Sequence, residues 1–252
     1  MEQDLAGGPG NALVVGGTGG IGAAVARLLV ARGSRVAITY RTNPDRAEQM
    51  RGELGVDPFV LDVGDPDACA ELVATVVRRA GALHTLVYAA GPHVPMRYLS
   101  RTTPDEFRAQ LVEDAAGFFN LAHAVLPHLR ASRGSLVAVT TAATRRFAVR
   151  DGLSAAPKAS VETVVRGIAA EEGRYGVRAN CVGPGMLSDG MAARLVGSGD
   201  LSEHALDVAR ANTPLRRFGT ADDVAEAVCF LASDRADFIS GQKLDVDGGY
   251  GG

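Results

Sequence analysis

The 252-residue chain has no tryptophan, and aromatic residues make up only 5% of it. Cysteine is scarce. Cys69, Cys181 and Cys229 are odd in number, widely spaced and part of no C-x-x-C pair, so neither a disulfide framework nor a zinc site is indicated and the three read as buried, reduced thiols. No stretch reaches the roughly 20 consecutive apolar residues that a membrane-spanning helix needs. Met1 to Asn11 also lacks the basic start and apolar middle of a secretory leader. A cytoplasmic location with no membrane contact is therefore expected. A dominant charge is missing as well: 26 basic residues stand against 29 acidic ones, a net charge of −3, which leaves no strong positive field to steer a nucleic acid. Lysine is nearly absent. Lys158 and Lys243 are the only two, the other basic residues being arginine, so each lysine is a candidate for chemistry that a guanidinium cannot perform.

What is present is 46% hydrophobic residues, enough for a sizeable core, and an alternation of short apolar runs with longer amphipathic segments. Strands are predicted at Ala12 to Val15, Arg35 to Tyr40, Pro58 to Leu61, Leu83 to Ala89, Ser135 to Thr140, Arg178 to Val182 and Lys243 to Val246. Between them lie helices from Ile21 to Arg32, after the Asn43-Pro44 and Asp65-Pro66 starts, from Thr103-Pro104 to near Arg130, from about Ala155 to Tyr175, and from Thr220 to Ala232. The order β-α-β predicts a single α/β domain over residues 1–252: a doubly wound parallel sheet of the Rossmann type with helices on both faces. Residues 183–213 contain a weakly periodic stretch rich in small residues, read as a lid over a substrate.

The first strand runs into Gly16-Gly17-Thr18-Gly19-Gly20-Ile21-Gly22 and then a helix. Residues without a Cβ let a backbone approach a pyrophosphate, and a helix N-terminus supplies free N–H groups for it. The alternative is a glycine turn serving only tight packing. No G-K-[ST] comes after it, which disfavours a triphosphate loop. The second strand ends in Tyr40-Arg41 without a carboxylate, so NADP(H) is favoured over NAD(H), with Arg41 as an ordinary surface residue the competing reading. Asp62, after the third strand, either meets an adenine edge or caps the next turn.

Together these residues resemble the short-chain dehydrogenase/reductase family in its single-domain form, especially its 3-oxoacyl-carrier-protein reductase branch. Val15 to Gly22 is similar to T-G-x-x-x-G-I-G with Val15 in place of Thr, and Asp62-Val63 matches the D-V beside adenine. Asn180 to Gly185 matches N-x-V-x-P-G, and Ile239-Ser240-Gly241 with Val246 to Gly249 matches the C-terminal pattern. The resemblance implies cofactor contacts from Gly16, Thr18, Gly20, Ile21 and Gly22, from Arg41, Asp62 and Val63, from Ala89, Ala90 and Gly91, and from Lys158, Pro184, Gly185 and Leu187.

In that family a Tyr hydroxyl exchanges a proton with the substrate oxygen, a Lys four residues later lowers its pKa and holds the nicotinamide ribose, a Ser orients substrate and an Asn supports a relay water. Here Lys158 holds the lysine position, Thr141 the serine position and Asp114 the asparagine position, but Ser154 stands where the tyrosine is expected. A serine hydroxyl is shorter than a phenol and far less acidic. Ser154 is thus either a helix cap, consistent with Pro157 after it, or a weak donor. His93, in the loop after Gly91, can supply a proton or stand by; Asp114 can act through water or lie on the surface. Arg97, Arg145, Arg146 and Arg150 either rim the pocket for an anionic substrate or are simply solvated.

The expected activity is an NADP(H)-dependent, ketoreductase-like reaction on a carbonyl or hydroxyl of a 3-oxoacyl, polyketide-like or related small molecule, free or carrier-linked. The alternative is a nucleotide-binding, non-redox enzyme or an incomplete subunit paired with a complete homologue. From the family, a homotetramer or homodimer is implied.

Overall fold

Seven strands run parallel in the order β3-β2-β1-β4-β5-β6-β7. They are β1 (Asn11–Val15), β2 (Arg35–Tyr40), β3 (Asp57–Val60), β4 (Leu83–Tyr88), β5 (Ser135–Val139), β6 (Arg178–Pro184) and β7 (Lys243–Val246). The structure is a computed structural model and describes residues 3–6, 8, 10–92, 94–189 and 203–252. Every residue of β1, β4 and β5 is buried, as expected of parallel strands covered on both faces.

The pleat then sorts side chains between two cores. Ala12, Val14 and Ile38 join Val25 and Leu29 of α1 (Gly20–Ala31) and Val224 and Val228 of the last helix, α8 (Ala221–Ala232). Leu13, Val15 and Ala37 face the other way, onto Leu72 and Val76 of α3 (Pro66–Ala80), Leu121 and Val125 of α5 (Gly117–Ser132), and Val161 and Val165 of α6 (Gly152–Glu172). Each Val, Leu or Ile among them contributes about 1.5–3 kcal/mol on burial. A one-residue slip of β1 would exchange the two sets, so the register is fixed by packing.

The helix starts obey local chemistry. In α2 (Pro44–Leu54) the Asn43 side chain accepts from the Arg46 N–H and Gly55 ends the helix at φ 70°. Asp65 accepts from the N–H groups of Asp67 and Ala68 ahead of α3, and Thr220 forms a reciprocal capping box with Asp223 ahead of α8.

Two helices depart from the sequence expectation. The stretch from Thr103 is not one helix: α4 (Pro104–Gln110) passes into a π-helical segment, Leu111–Ala116, before α5. One extra residue in a turn rotates the succeeding residues by about 100° around the axis, and this segment holds Asp114 at 3% exposure, so it is not a surface carboxylate. The second departure is α6, which begins at Gly152 and not at Ala155. Gly152 is held there by packing, since a Cβ on it would lie 2.5 Å from the Leu99 side chain. Ser154 is accordingly the third helical residue and not the cap; its N–H donates to the Asp151 carbonyl at 3.1 Å. Of the predicted lid, residues 190–202 lie outside the described residues; Glu203–Asn212 forms a helix, α7.

Candidate active site

The strand order reverses between β1 and β4, and the loops leaving their carboxyl ends diverge there to form the crevice where ligands bind in such sheets. The glycine turn after β1 forms one wall. Gly16 has φ 75°, and a Cβ on it would lie 2.9 Å from the Ala89 oxygen and from Ala90. A Cβ on Gly22 would come within 2.2 Å of the Gly16 oxygen. The turn is tied to β2, because the Gly16 N–H donates to Thr39 Oγ1 at 3.2 Å and the Gly17 N–H to the Thr39 oxygen at 2.9 Å. Thr18 is half-buried, Gly19 and Gly20 are exposed, and Ile21 packs onto the first core. Gly19 stands at the N-cap of α1 with no side chain to offer, and the first turn carries no acid. Its N–H groups and partial positive charge are thus open to an anion, which fits a dinucleotide pyrophosphate.

At the end of β2, Arg41 Nη1 donates to Glu113 Oε1 at 2.5 Å, and that hydrogen bond raises the guanidinium pKa further. The cation that would accept a 2′-phosphate therefore already has a carboxylate partner. Asp62 Oδ1 accepts from the Gly64 N–H at 2.9 Å, so the turn-capping role is realised. Val63 packs so closely that a Cβ on Gly117 would lie 2.7 Å from it, and its carbonyl accepts from Asn120 Nδ2 at 3.0 Å.

Opposite the glycine turn, Lys158 Nζ donates to Asp114 Oδ1 at 2.9 Å and to the Ala90 oxygen at 3.3 Å. It also lies 3.4 Å from where a Cβ on Gly91 would stand and 5.8 Å from the centre of the Tyr88 ring. The lysine and Asp114 form a direct, buried ion pair. Thr141 Oγ1 accepts from the Ala143 N–H at 3.1 Å, which leaves its own O–H free to donate. Its carbonyl accepts from Thr144, whose hydroxyl also reaches Glu162 Oε1 at 2.8 Å. Lys243, the second lysine, joins Thr144, Glu162 at 3.3 Å and Asp245 at 3.0 Å. Both lysines are thus committed to buried carboxylates.

On the far side, buried Pro184 ends β6, Gly185 donates its N–H to the Val246 oxygen at 3.0 Å, and Leu187 bridges to Gly219. His93 lies outside the described residues. The four arginines of the predicted rim all bond within the chain: Arg97 to Glu106, Arg145 to Asp245, Arg146 to the Tyr250 oxygen and Arg150 to the Met96 oxygen.

No motif or spacing marks Thr39 or Glu113, whose roles depend on neighbours distant in the chain. Tyr88 is fully buried, its hydroxyl has no partner among the described residues, and burial pushes the phenol far above its ordinary range. Cys69, Cys181 and Cys229 are free and buried, and burial pushes their thiols up to about 11, 12 and 12. Among the described residues no helix is long and apolar enough to cross a membrane.

Sheet order, glycine turn and crevice define a doubly wound α/β protein built to bind a dinucleotide. Comparison with known proteins narrows the class. A family profile described as enoyl-(acyl carrier protein) reductase matches residues 16–251. The chain is 32% identical to an acetoacetyl-CoA reductase of Shinella zoogloeoides, over 94% of this chain and 97% of the relative. It is also 32% identical to a 3-oxoacyl-(acyl-carrier-protein) reductase of Staphylococcus epidermidis, over 95% and 98% of the two chains. The structure of a short-chain type dehydrogenase/reductase from Mycobacterium ulcerans superposes with a TM-score of 0.89 at 28% identity, over 96% of this chain and 89% of that one. The chain belongs to the short-chain dehydrogenase/reductase family, whose members are oxidoreductases that bind nicotinamide cofactors.

Proposed function

We propose that the protein is an NADP(H)-dependent ketoreductase that interconverts a carbonyl and a hydroxyl on a 3-oxoacyl, polyketide-like or related small molecule, free or carrier-linked, without a tyrosine at position 154. The observation that carries this reading is the placement of Lys158: a buried ammonium that α6 carries to Asp114, Ala90 and Gly91, in the loop against which the glycine turn packs. The acetoacetyl-CoA and 3-oxoacyl reductases among its relatives support the substrate class.

When bound, the reduced nicotinamide supplies a hydride to the carbonyl carbon. The chain itself holds the pyrophosphate on the N–H groups around Gly20 and Ile21 and the ribose on Lys158. The Thr141 hydroxyl donates a hydrogen bond to the carbonyl oxygen and fixes its place. The proton that this oxygen takes up comes from a group other than Ser154, whose hydroxyl is too short and too weakly acidic. Arg41 favours a 2′-phosphate; NAD(H) competes because Glu113 already neutralises that arginine. Assembly as a homodimer or homotetramer, or with a homologous subunit, belongs to the same reading.

A second reading, a nucleotide-binding protein with no redox step, draws on one observation: the Lys158 charge is spent on Asp114. Spectrophotometric NADPH consumption against a panel of ketones and 3-oxoacyl thioesters separates the two. Carbonyl-dependent oxidation supports the reductase, and tight NADPH binding without oxidation supports the second reading.

A further inference from the structure

A reductase that lacks the usual phenol still needs an acid at the carbonyl oxygen, and the local geometry around position 154 narrows where that acid can stand. Helical side chains lean toward the N-terminus, so a long side chain at position 154 would cover the turn before it. The residue one turn earlier is Asp151. Asp151 is the residue that enters α6, three positions before Ser154 and seven before Lys158, so it stands at the end of the helix where those two side chains begin.

Asp151 occupies the N-cap of α6, yet its side chain makes no capping hydrogen bond there. Among the described residues its carboxyl pairs with no cation either; only its backbone is engaged, accepting from the N–H groups of Ser154 at 3.1 Å and Ala155 at 2.9 Å. An aspartate that declines its cap is unusual, because the cap is the cheapest partner available to it.

The residue before it shows how this is enforced. Arg150 is held at φ 74°, a left-handed conformation that a long side chain rarely adopts. Three hydrogen bonds hold it: its Nε and Nη2 donate to the Met96 oxygen at 3.2 and 2.8 Å, and its carbonyl accepts from the Arg97 N–H at 2.9 Å. The Arg150 guanidinium is thereby committed to a backbone carbonyl, and no ion pair joins it to the adjacent carboxyl among the described residues. The other charges near this end of α6 are spent: Arg97 pairs with Glu106, and Lys158 with Asp114.

We propose that Asp151 is the catalytic acid of this protein, filling from one helical turn away the place of the absent tyrosine. This assignment rests on the ketoreductase reading. In the reducing direction the carbonyl carbon receives a hydride from the reduced dinucleotide while the carbonyl oxygen takes the Asp151 carboxyl proton. The C=O π bond becomes a C–H bond and an O–H bond, the nicotinamide is oxidised, and the Asp151 carboxylate regains its proton from solvent. Asp151 is half-buried with no side-chain partner among the described residues, and that desolvation pushes its carboxyl up to about 6, into the range a proton donor needs near neutral pH.

The test compares wild type with Asp151→Asn, which keeps shape and removes the proton, and Asp151→Glu, which restores an acid. Acetoacetyl-CoA and NADPH serve as probes. Wild-type kcat/KM should fall on the alkaline side of the carboxyl's titration. Asp151→Asn should lose about 100-fold or more in kcat together with that limb, and Asp151→Glu should regain part of both. A readout independent of turnover is urea unfolding across pH. The desolvated, ionised carboxylate opposes folding, so Asp151→Asn should be more stable than wild type near neutral pH and lose that advantage as the wild-type carboxyl becomes protonated. An unchanged kcat and alkaline limb in a folded Asp151→Asn would overturn the assignment while leaving the reductase reading intact. A change confined to KM, or an unfolding difference that does not depend on pH, would also overturn it. A folded wild-type protein that binds NADPH but fails to oxidise it with any carbonyl defeats the reductase reading and this assignment together.

Discussion

Gly20 is the first residue of α1, exposed at the mouth of the glycine turn, and its value lies in having no side chain. Gly20→Val places a branched group where a pyrophosphate must lie, so isothermal titration of the folded variant should show NADPH binding abolished. Retained affinity would make the loop a packing turn only. Arg41 and Glu113 make a paired prediction. Because Arg41 must leave Glu113 to meet a 2′-phosphate, the wild-type preference for NADPH over NADH should be modest. Arg41→Ala should erase it, and Glu113→Gln should widen it by freeing the guanidinium. Equal dissociation constants for the two cofactors in wild type would contradict the assignment. Under the proposed function Ser154→Ala should change turnover by less than about 10-fold; a loss of two orders of magnitude, about 2.7 kcal/mol of transition-state stabilisation, would restore the serine as donor. At this scale the sequence is informative wherever structure is local: the glycine turn joins β1 to α1, Thr141 follows β5 and Lys158 lies on α6, as the alternation of strands and helices predicts. Glu113 and the proposed acid, Asp151, are illegible there because each depends on a partner that sequence does not reveal: Arg41 pairs with Glu113, and Arg150 bonds to the Met96 carbonyl.

The element that most departs from sequence expectation is the π-helical segment Leu111–Ala116, and it carries Asp114 to Lys158. Nothing in its composition marks a widened turn, whereas the Asn43, Asp65 and Thr220 caps are readable because a cap is decided within four residues. The start of α6 escapes a sequence reading for the same reason: Pro157 suggests a helix beginning at Ala155, but packing of Gly152 on Leu99 begins it one turn earlier and takes the cap from Ser154. The buried pair between the two elements predicts unequal substitutions. Asp114→Ala leaves the Lys158 ammonium buried and unpaired and should lower stability by about 3–5 kcal/mol. Asp114→Asn keeps an acceptor oxygen and should be clearly milder. Urea unfolding measures both, and equal losses would mean that the pair is not a structural link between the π segment and α6.

Across the whole molecule, the parallel sheet separates the site at its carboxyl edge from a buried polar chain at the opposite edge. There His84 Nδ1 lies 2.9 Å from Thr85 Oγ1, and Nε2 lies 3.3 Å from Ser34 Oγ. Burial first, and then the Arg35 charge, lower the His84 pKa below its ordinary value. The unfolded chain therefore binds more protons than the folded one in this window. The His84 contribution to stability is fully present above the unfolded value of about 6.5 and is lost as pH falls toward the folded one. Stability should decline on the acid side in wild type and decline less in His84→Gln; identical slopes would remove His84 from the account. The strands and the doubly wound class are legible in the alternation of apolar runs, whereas the strand order and the division of side chains between two cores emerge only from the packed structure. The central claim, that this chain moves a hydride with NADPH through a site lacking the usual phenol, is tested most directly by NADPH oxidation in the presence of 3-oxoacyl thioesters and ketones. The account predicts oxidation that requires both the carbonyl and Lys158. Tight NADPH binding with no oxidation by any carbonyl would contradict it.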